Sequence, residues 1–254
     1  MARSLRLPLV VASLALALWL SPSRVEAQSE GRAIDPQYQT WLGFFFQGPI
    51  AGDLFFQADV HYRTFPDFFP NWILLRPALA LRLMDGMFVS LGYAWTPSWS
   101  SQSASMVDEH RIWEQWMYDF PLDAQSGIRF QIRTRVEQRI RHPRGPNGEE
   151  AQLGLRLRQM VRVQVPLTTD RAWLFVLWDE MFFMLSEAGS AETNIWQRPG
   201  FDQNRLFGGI GYVVIPGVLR LELGYFNQWI HRHDHPRGDL VNHVAMLNTF
   251  VSWR

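Results

Sequence analysis

Seven arginines fall within two short stretches of this 254-residue chain, Arg129, Arg133, Arg135 and Arg139 in the first and Arg156, Arg158 and Arg162 in the second, with Glu137 the one clear acid among them. Side chains two apart share a face when the chain is extended, so this spacing gathers guanidiniums on one side of two neighbouring strands. A wall rich in one charge attracts the opposite ion wherever water reaches it. Guanidiniums also form bidentate pairs with carboxylates, and an isolated buried charge is costly enough that a narrow interior must pair it. Two readings are therefore open: an Arg–carboxylate ladder, with Glu137 shared between neighbours, that fills and stiffens an interior, or a filter for small anions. Arg111, Glu180, Arg205, Glu222, Gln228 and Asn242 fall on the same phase of other segments and join either reading.

Three further groupings invite chemistry. Asp59 and His61 flank Val60, which puts an acid and an imidazole on one face, and an inward Ser90 lies on a neighbouring hairpin. A hydrolase acting on lipid or acyl chains would need a nucleophile, a base and an orienting group at one height, and the spacing sets no height for Ser90. His231, His233 and His235 alternate in a polar loop and read as a solvated segment, since a structural zinc site closes four ligands. Gly208-Gly209-Ile210-Gly211 lacks the Lys-Ser/Thr and the helix of a phosphate loop, which leaves close packing within a strand. No cysteine is present, so disulfides, thiolate metal sites and thiol nucleophiles are excluded, and no cofactor is expected. Basic and acidic totals cancel, every basic residue is Arg, and nothing resembles the basic footprint of a nucleic-acid binder.

The elements that carry these residues read as strands. Residues 127–141 set Ile128, Phe130, Ile132, Val136 and Ile140 against arginines, and 152–165 set Leu153, Leu155, Leu157, Val161, Val163 and Val165 against Gln152, Arg156, Arg158, Arg162 and Gln164. Such alternation marks a strand with a different environment on each face. Strands are expected near 37–47, 53–64, 71–84, 87–96, 108–120, 127–141, 151–165, 171–184, 202–214, 218–230 and 241–253. Short turns alternate with longer polar loops at 97–107, 142–150, 185–201 and 231–240, as in outer-membrane barrels. Trp72, Trp95, Trp113, Trp116, Trp173, Trp229 and Trp253 fall near strand ends, where interfacial aromatic girdles sit.

These features predict an all-β fold, a closed antiparallel transmembrane β-barrel of about 10–12 strands over residues 37–254. The first and last strands then run the same way, so an even-numbered barrel lacks one strand, either missed within 185–201 or replaced by an unconventional closure from the N-terminal segment 28–36. Arg3 and Arg6, an apolar run from Leu7 to Leu20 and Val25-Glu26-Ala27 make residues 1–27 a cleavable signal peptide. The apolar run is shorter than the ~20 residues of a spanning helix. The expected location is the outer membrane of a Gram-negative bacterium, with lipid and the barrel-assembly machinery as partners. Leu247, Val251 and Trp253 approach the terminal signature read by that machinery, and Arg254 departs from it.

A succession of short motifs resembles the bacterial family catalogued as domain of unknown function 2490. They are Trp41, Glu109-His110-Arg111 with Glu114-Gln115, Arg135-Val136-Glu137-Gln138-Arg139, Glu180 with Phe182, Gln203-Asn204-Arg205, Gly224-Tyr225 with Gln228, and Asn242-His243. The resemblance implies a secreted, outer-membrane-type β protein and carries no activity or ligand. The leading function is then a narrow pore for small anionic solutes. The alternatives are a lipid hydrolase or acyl-modifying enzyme of the outer membrane, and an envelope barrel whose outer loops bind a protein partner.

Overall fold

The computed structural model describes residues 33–64, 70–99, 106–123, 125–143, 151–188, 197–233 and 237–254. The expected signal peptide at 1–27 and parts of the four expected long loops lie outside them. The strands are β1 (Ile34–Ala51), β2 (Leu54–Thr64), β3 (Pro70–Met84), β4 (Met87–Trp95), β5 (Ser98–Trp99), β6 (Met106–Pro121), β7 (Arg129–Pro143), β8 (Gln152–Pro166), β9 (Trp173–Met184), β10 (Gly200–Ile215), β11 (Leu219–Ile230) and β12 (Asp239–Ser252).

Every strand except β5 belongs to one ring, giving a closed barrel of eleven. Consecutive members pair antiparallel, and β1 pairs with β12 in parallel, from Ile34 opposite Asp239 to Gln47 opposite Ser252. The parallel seam follows from arithmetic. Hairpins reverse the chain at each step, so with an odd number of staves the first and last run the same way and can close only in parallel. Among the described residues no extra strand joins the ring. Among the described residues of 185–201, an isolated bridge between Ala188 and Gln197 precedes β10. Ile34, Asp35 and Pro36, expected outside the barrel, form the start of β1.

β4 stops early because Thr96 and Pro97 turn the chain, and Pro cannot donate to a ladder. The two residues of β5, which fall in the expected loop 97–107, extend the wall beyond β4 by pairing with both β3 and β6. Thr96 N–H donates to the Glu109 carbonyl at 2.8 Å and fixes the break. At the opposite end the turns are tight. Gly86 adopts φ of 77°, and a Cβ there would lie 2.0 Å from the Asp119 carbonyl oxygen, so only glycine fits. In the turn after β6, the Asp123 carboxylate accepts the N–H groups of Ser126 and Gln125, which hold its pKa below the ordinary value.

The alternation seen in the sequence sorts by face. Outward positions are apolar and exposed, as at Leu79, Leu91, Ile112, Val161, Leu223 and Leu247. Trp95, Trp116, Trp173, Trp229 and Trp253 also point outward. Trp113 and Trp72 depart from the girdle expectation. Trp113 is 2% exposed, in a small inner cluster with Leu74, Ala78 and Ala94, and Trp72 packs against that cluster. Both stay inside because arginine side chains cover their faces.

The interior has two characters. Trp41, Leu174, Val176, Trp178, Phe207, Phe226, Val244 and Met246 from β1, β9, β10, β11 and β12 form an apolar cluster against one wall. Most inward charges lie on β6, β7 and β8, with others on β2, β3, β9, β10 and β11. Backbone closeness supports the apolar side: a Cβ on Gly224 would lie 2.4 Å from the Gly208 carbonyl oxygen and 2.7 Å from the Phe207 ring. Gly224→Ala is expected to destabilise the barrel by about 1–3 kcal/mol through overpacking. Urea unfolding of the detergent-folded protein measures this, and an unchanged midpoint would contradict it.

Candidate functional site

Alternation along β6, β7 and β8 turns Glu109, Arg111, Arg133, Arg135, Glu137, Arg139, Arg156, Arg158 and Arg162 inward, and the antiparallel register aligns them across strands. Arg111 lies opposite Arg139, and Glu137 opposite Arg156. Like charges directly opposite repel, so the carboxylates decide where each guanidinium goes.

Glu137 is fully buried and anchors the network. Arg156 reaches it through Nε at 3.0 Å and Arg158 through Nη1 at 2.6 Å, with Arg135 and Arg111 behind at 3.7 and 3.9 Å. Arg158 continues to Glu180 on β9 through Nε at 2.9 Å, where Arg133 donates through Nη2 at 2.7 Å and Arg205 approaches to 4.0 Å. On the other side Glu109 accepts Nε of both Arg111 and Arg139 at 2.7 Å. A separate cluster joins Arg162 and Arg220 to the fully buried Glu222. Carboxylates shared in this way stabilise guanidiniums that burial would otherwise penalise heavily.

The expected dominance of arginine over a single acid in this region is therefore softened, because Glu109, Glu180 and Glu222 arrive from other strands. Gln228 stands apart from the ladder. It donates to Gln203 Oε1 at 2.5 Å and accepts from Asn242 at 3.0 Å, in an amide string that continues through Gln39 to the Trp41 indole. Arg205 joins the string at Gln203 and so links both walls.

Arg63 and Arg76 were not among the expected site residues. Arg63 lies between the rings of Trp41 and Trp72, 3.4 and 3.7 Å from their centroids, with no carboxylate partner among the described residues. Arg76 grips Asp59 through Nε and Nη2, both at 2.8 Å. The Arg63-x-x-x-x-x-x-x-x-Trp72 separation gave no signal, because contact arises only across the β2–β3 pair. By contrast Glu109 and Arg111 share a face at i, i+2, which could have marked the pair in advance.

The other candidate chemistries are placed as follows. His61 Nε2 lies 2.9 Å from Asp59 Oδ2, yet neither ring nitrogen has an aligned hydrogen-bond partner. The Ser90 hydroxyl donates to Gln57 Oε1 at 3.1 Å, so it is engaged elsewhere. His231 packs its ring against His233 and lies 3.3 Å from Asp239, while His235 lies outside the described residues. Gly208 to Gly211 lie within β10.

Within this framework runs a cavity of about 740 Å³, whose lining extends from Gly217 in a short turn to Glu109 near the long-loop end. Twelve arginines line it, against Asp59, Glu109, Asp119 and Glu180. Glu137 and Glu222 sit behind the lining. Arg63 Nε, Arg133 Nε and Arg135 Nη1 are buried and have no hydrogen-bond partner. Buried donors are rarely left unpaired, so these mark where water or a negatively charged group would be received.

Comparison with known proteins adds the family. A family model described as protein of unknown function (DUF2490) matches residues 38–239. An uncharacterised protein of Methylorubrum extorquens is 28% identical over 217 residues, 85% of this chain and 87% of that one. A solved structure of the NanC porin matches with a TM-score of 0.46 at 12% identity, covering 80% of this chain and 93% of the porin chain. The family match spans most of the barrel and contains the Glu109, Glu137 and Glu180 anchors, and on that match the chain belongs to the DUF2490 family.

Proposed function

We propose that this protein is a narrow outer-membrane pore that favours small anionic solutes. The observation carrying the reading is the cavity wall, where twelve arginines meet four carboxylates. Such an imbalance in a confined, low-dielectric passage concentrates anions and excludes cations. Membrane residence is supported by the exterior, whose exposed Leu, Ile, Val and Phe side chains form a surface that water would not tolerate over this extent.

Planar-bilayer recording of the purified barrel under a potassium chloride gradient tests the proposal. The reversal potential is expected to move toward that of chloride, and Arg133→Gln with Arg135→Gln to bring it back toward zero. The preference should be stronger at 0.1 M salt than at 1 M, because the screening length shrinks from about 10 Å to about 3 Å. Absence of conductance, or a preference for potassium, would refute the pore.

A further inference from the structure

The outer wall is not uniformly apolar. Mid-strand outward positions on β1, β2, β3, β4, β11 and β12 carry residues such as Phe44, Val60, Leu79, Leu91, Leu223 and Leu247. On β6, β7, β8, β9 and β10 six polar side chains interrupt this surface besides His110, namely Glu114, Thr134, Gln138, Gln159, Asp179 and Asn204, while Asn227 and His243 interrupt β11 and β12. Each lies between inward neighbours, as Gln159 does between the buried Arg158 and Met160, and Asp179 between Trp178 and Glu180. The six join in three pairs. Gln138 Nε2 donates to Glu114 Oε2 at 3.1 Å, Thr134 Oγ1 to Gln159 Oε1 at 2.7 Å, and Asn204 Nδ2 to Asp179 Oδ1 at 2.5 Å.

Their height matters as much as their chemistry. Gln159 is the middle residue of β8, Glu114 and Asp179 lie at the centres of β6 and β9, and Thr134 and Gln138 flank the centre of β7. Glu114 and Asp179 are outward-facing carboxylates at mid-strand, whereas Asp108 and Asp239, also outward, sit near strand starts and accept from the indoles of Trp95 and Trp229. In a bilayer this band lies near the midplane, where acyl chains offer no hydrogen bonds and polar side chains almost always face protein or water. Pairing along the wall leaves a remainder: Thr134 occupies the Gln159 oxygen, and the donors of the Gln159 amide are unmatched.

We propose that this band is the contact face for a second copy of the same chain, standing beside the first in the bilayer with Gln159 near a two-fold axis. A copy inserted in the same direction presents the same band at the same depth, which no soluble partner can do. The band is also its own complement. A carboxamide carries two donors and an acceptor with two lone pairs, so two Gln159 amides across an axis can exchange two hydrogen bonds while each still accepts from Thr134. The face carries two carboxylates, Glu114 and Asp179, and each already accepts from an amide beside it, Gln138 and Asn204. Contact of one patch with itself is the isologous arrangement of two-fold dimers. This inference rests on the membrane reading and is independent of solute selectivity.

The absence of cysteine makes the test direct. Gln159→Cys and, on the far wall, Phe44→Cys are each introduced into the full chain and treated in isolated membranes with a short bis-maleimide. The expected result is a product of twice the monomer mass for Gln159→Cys and little or none for Phe44→Cys. A Thr134→Val, Gln159→Leu variant is expected to run as a monomer in mild detergent where the wild type runs as a dimer, with both keeping the gel shift of a folded barrel. Membrane-embedded monomers throughout, or cross-linking of Gln159→Cys only to a different polypeptide, would overturn the dimer while leaving the barrel in place. Recovery of the folded chain in the soluble fraction would overturn the membrane reading and the dimer together.

Discussion

Replacing Glu137 by Gln is expected to lower the unfolding free energy of the barrel by about 3–5 kcal/mol, the usual loss when one member of a buried ionic network is removed. The side chain is fully buried, and its two oxygens receive Arg156 and Arg158 directly, with Arg135 and Arg111 close behind. Gln keeps the shape and removes the charge, so the penalty comes from guanidiniums left without their shared counter-ion. Adding Arg156→Gln is expected to recover part of the loss, because the remaining contact of Arg156 with an acid is to Asp202 at 4.0 Å. Arg158 keeps Glu180 in either variant. Urea titration followed by tryptophan fluorescence gives the two single changes and the double, and the coupling between them is read as a double-mutant cycle. A loss below about 1 kcal/mol would mean that the ladder is solvated like a surface ion pair.

A proline placed in the seam is expected to do more than destabilise. Leu42 sits within β1 between β12 on one side and β2 on the other. Leu42→Pro removes a ladder N–H and forces ring atoms into the pairing, a defect of about 3 kcal/mol or more in a continuous element. The same change elsewhere would still leave a ring held by antiparallel pairs. At β1 it strikes the one parallel pair, which is somewhat weaker per residue and which alone closes the circle. The expected result is loss of the heat-sensitive gel shift and rapid proteolysis. A Leu42→Pro protein with the normal shift and normal protease resistance would show that closure does not depend on this seam.

The eleven long strands were legible because period-two alternation records a barrel wall directly, with one face toward arginine and the other toward hydrocarbon-like surroundings. Arg133, Arg135, Glu137 and Arg139 could be assigned inward from that phase alone. Direction of pairing was not legible. Alternation is the same for a parallel or antiparallel neighbour, so the seam stood in the sequence only as a strand count that would not balance. Register was equally hidden, and with it the choice of partners. That Arg158 bridges Glu137 and Glu180, or that Arg63 slides between Trp41 and Trp72, depends on how far each strand is staggered against the next. The apolar inner cluster escaped notice for a related reason: the inward phase of β9 to β12 mixes Val176, Phe207, Phe226 and Val244 with Glu180, Arg205, Glu222 and Gln228, so the polar members alone mark the inside. β5 is two residues long and carries no period at all.

The odd stave count also sets the start of β1 and the end of β12 at opposite mouths. β1 starts at the mouth where the extended connections gather, and β12 finishes at the mouth ringed by tight hairpins. If those extended connections face the medium, an epitope spliced just ahead of Ile34 becomes accessible to antibody on intact cells, whereas one appended after Arg254 stays hidden until the envelope is breached. A protein built with matching numbers of ascending and descending strands would expose both reporters or neither.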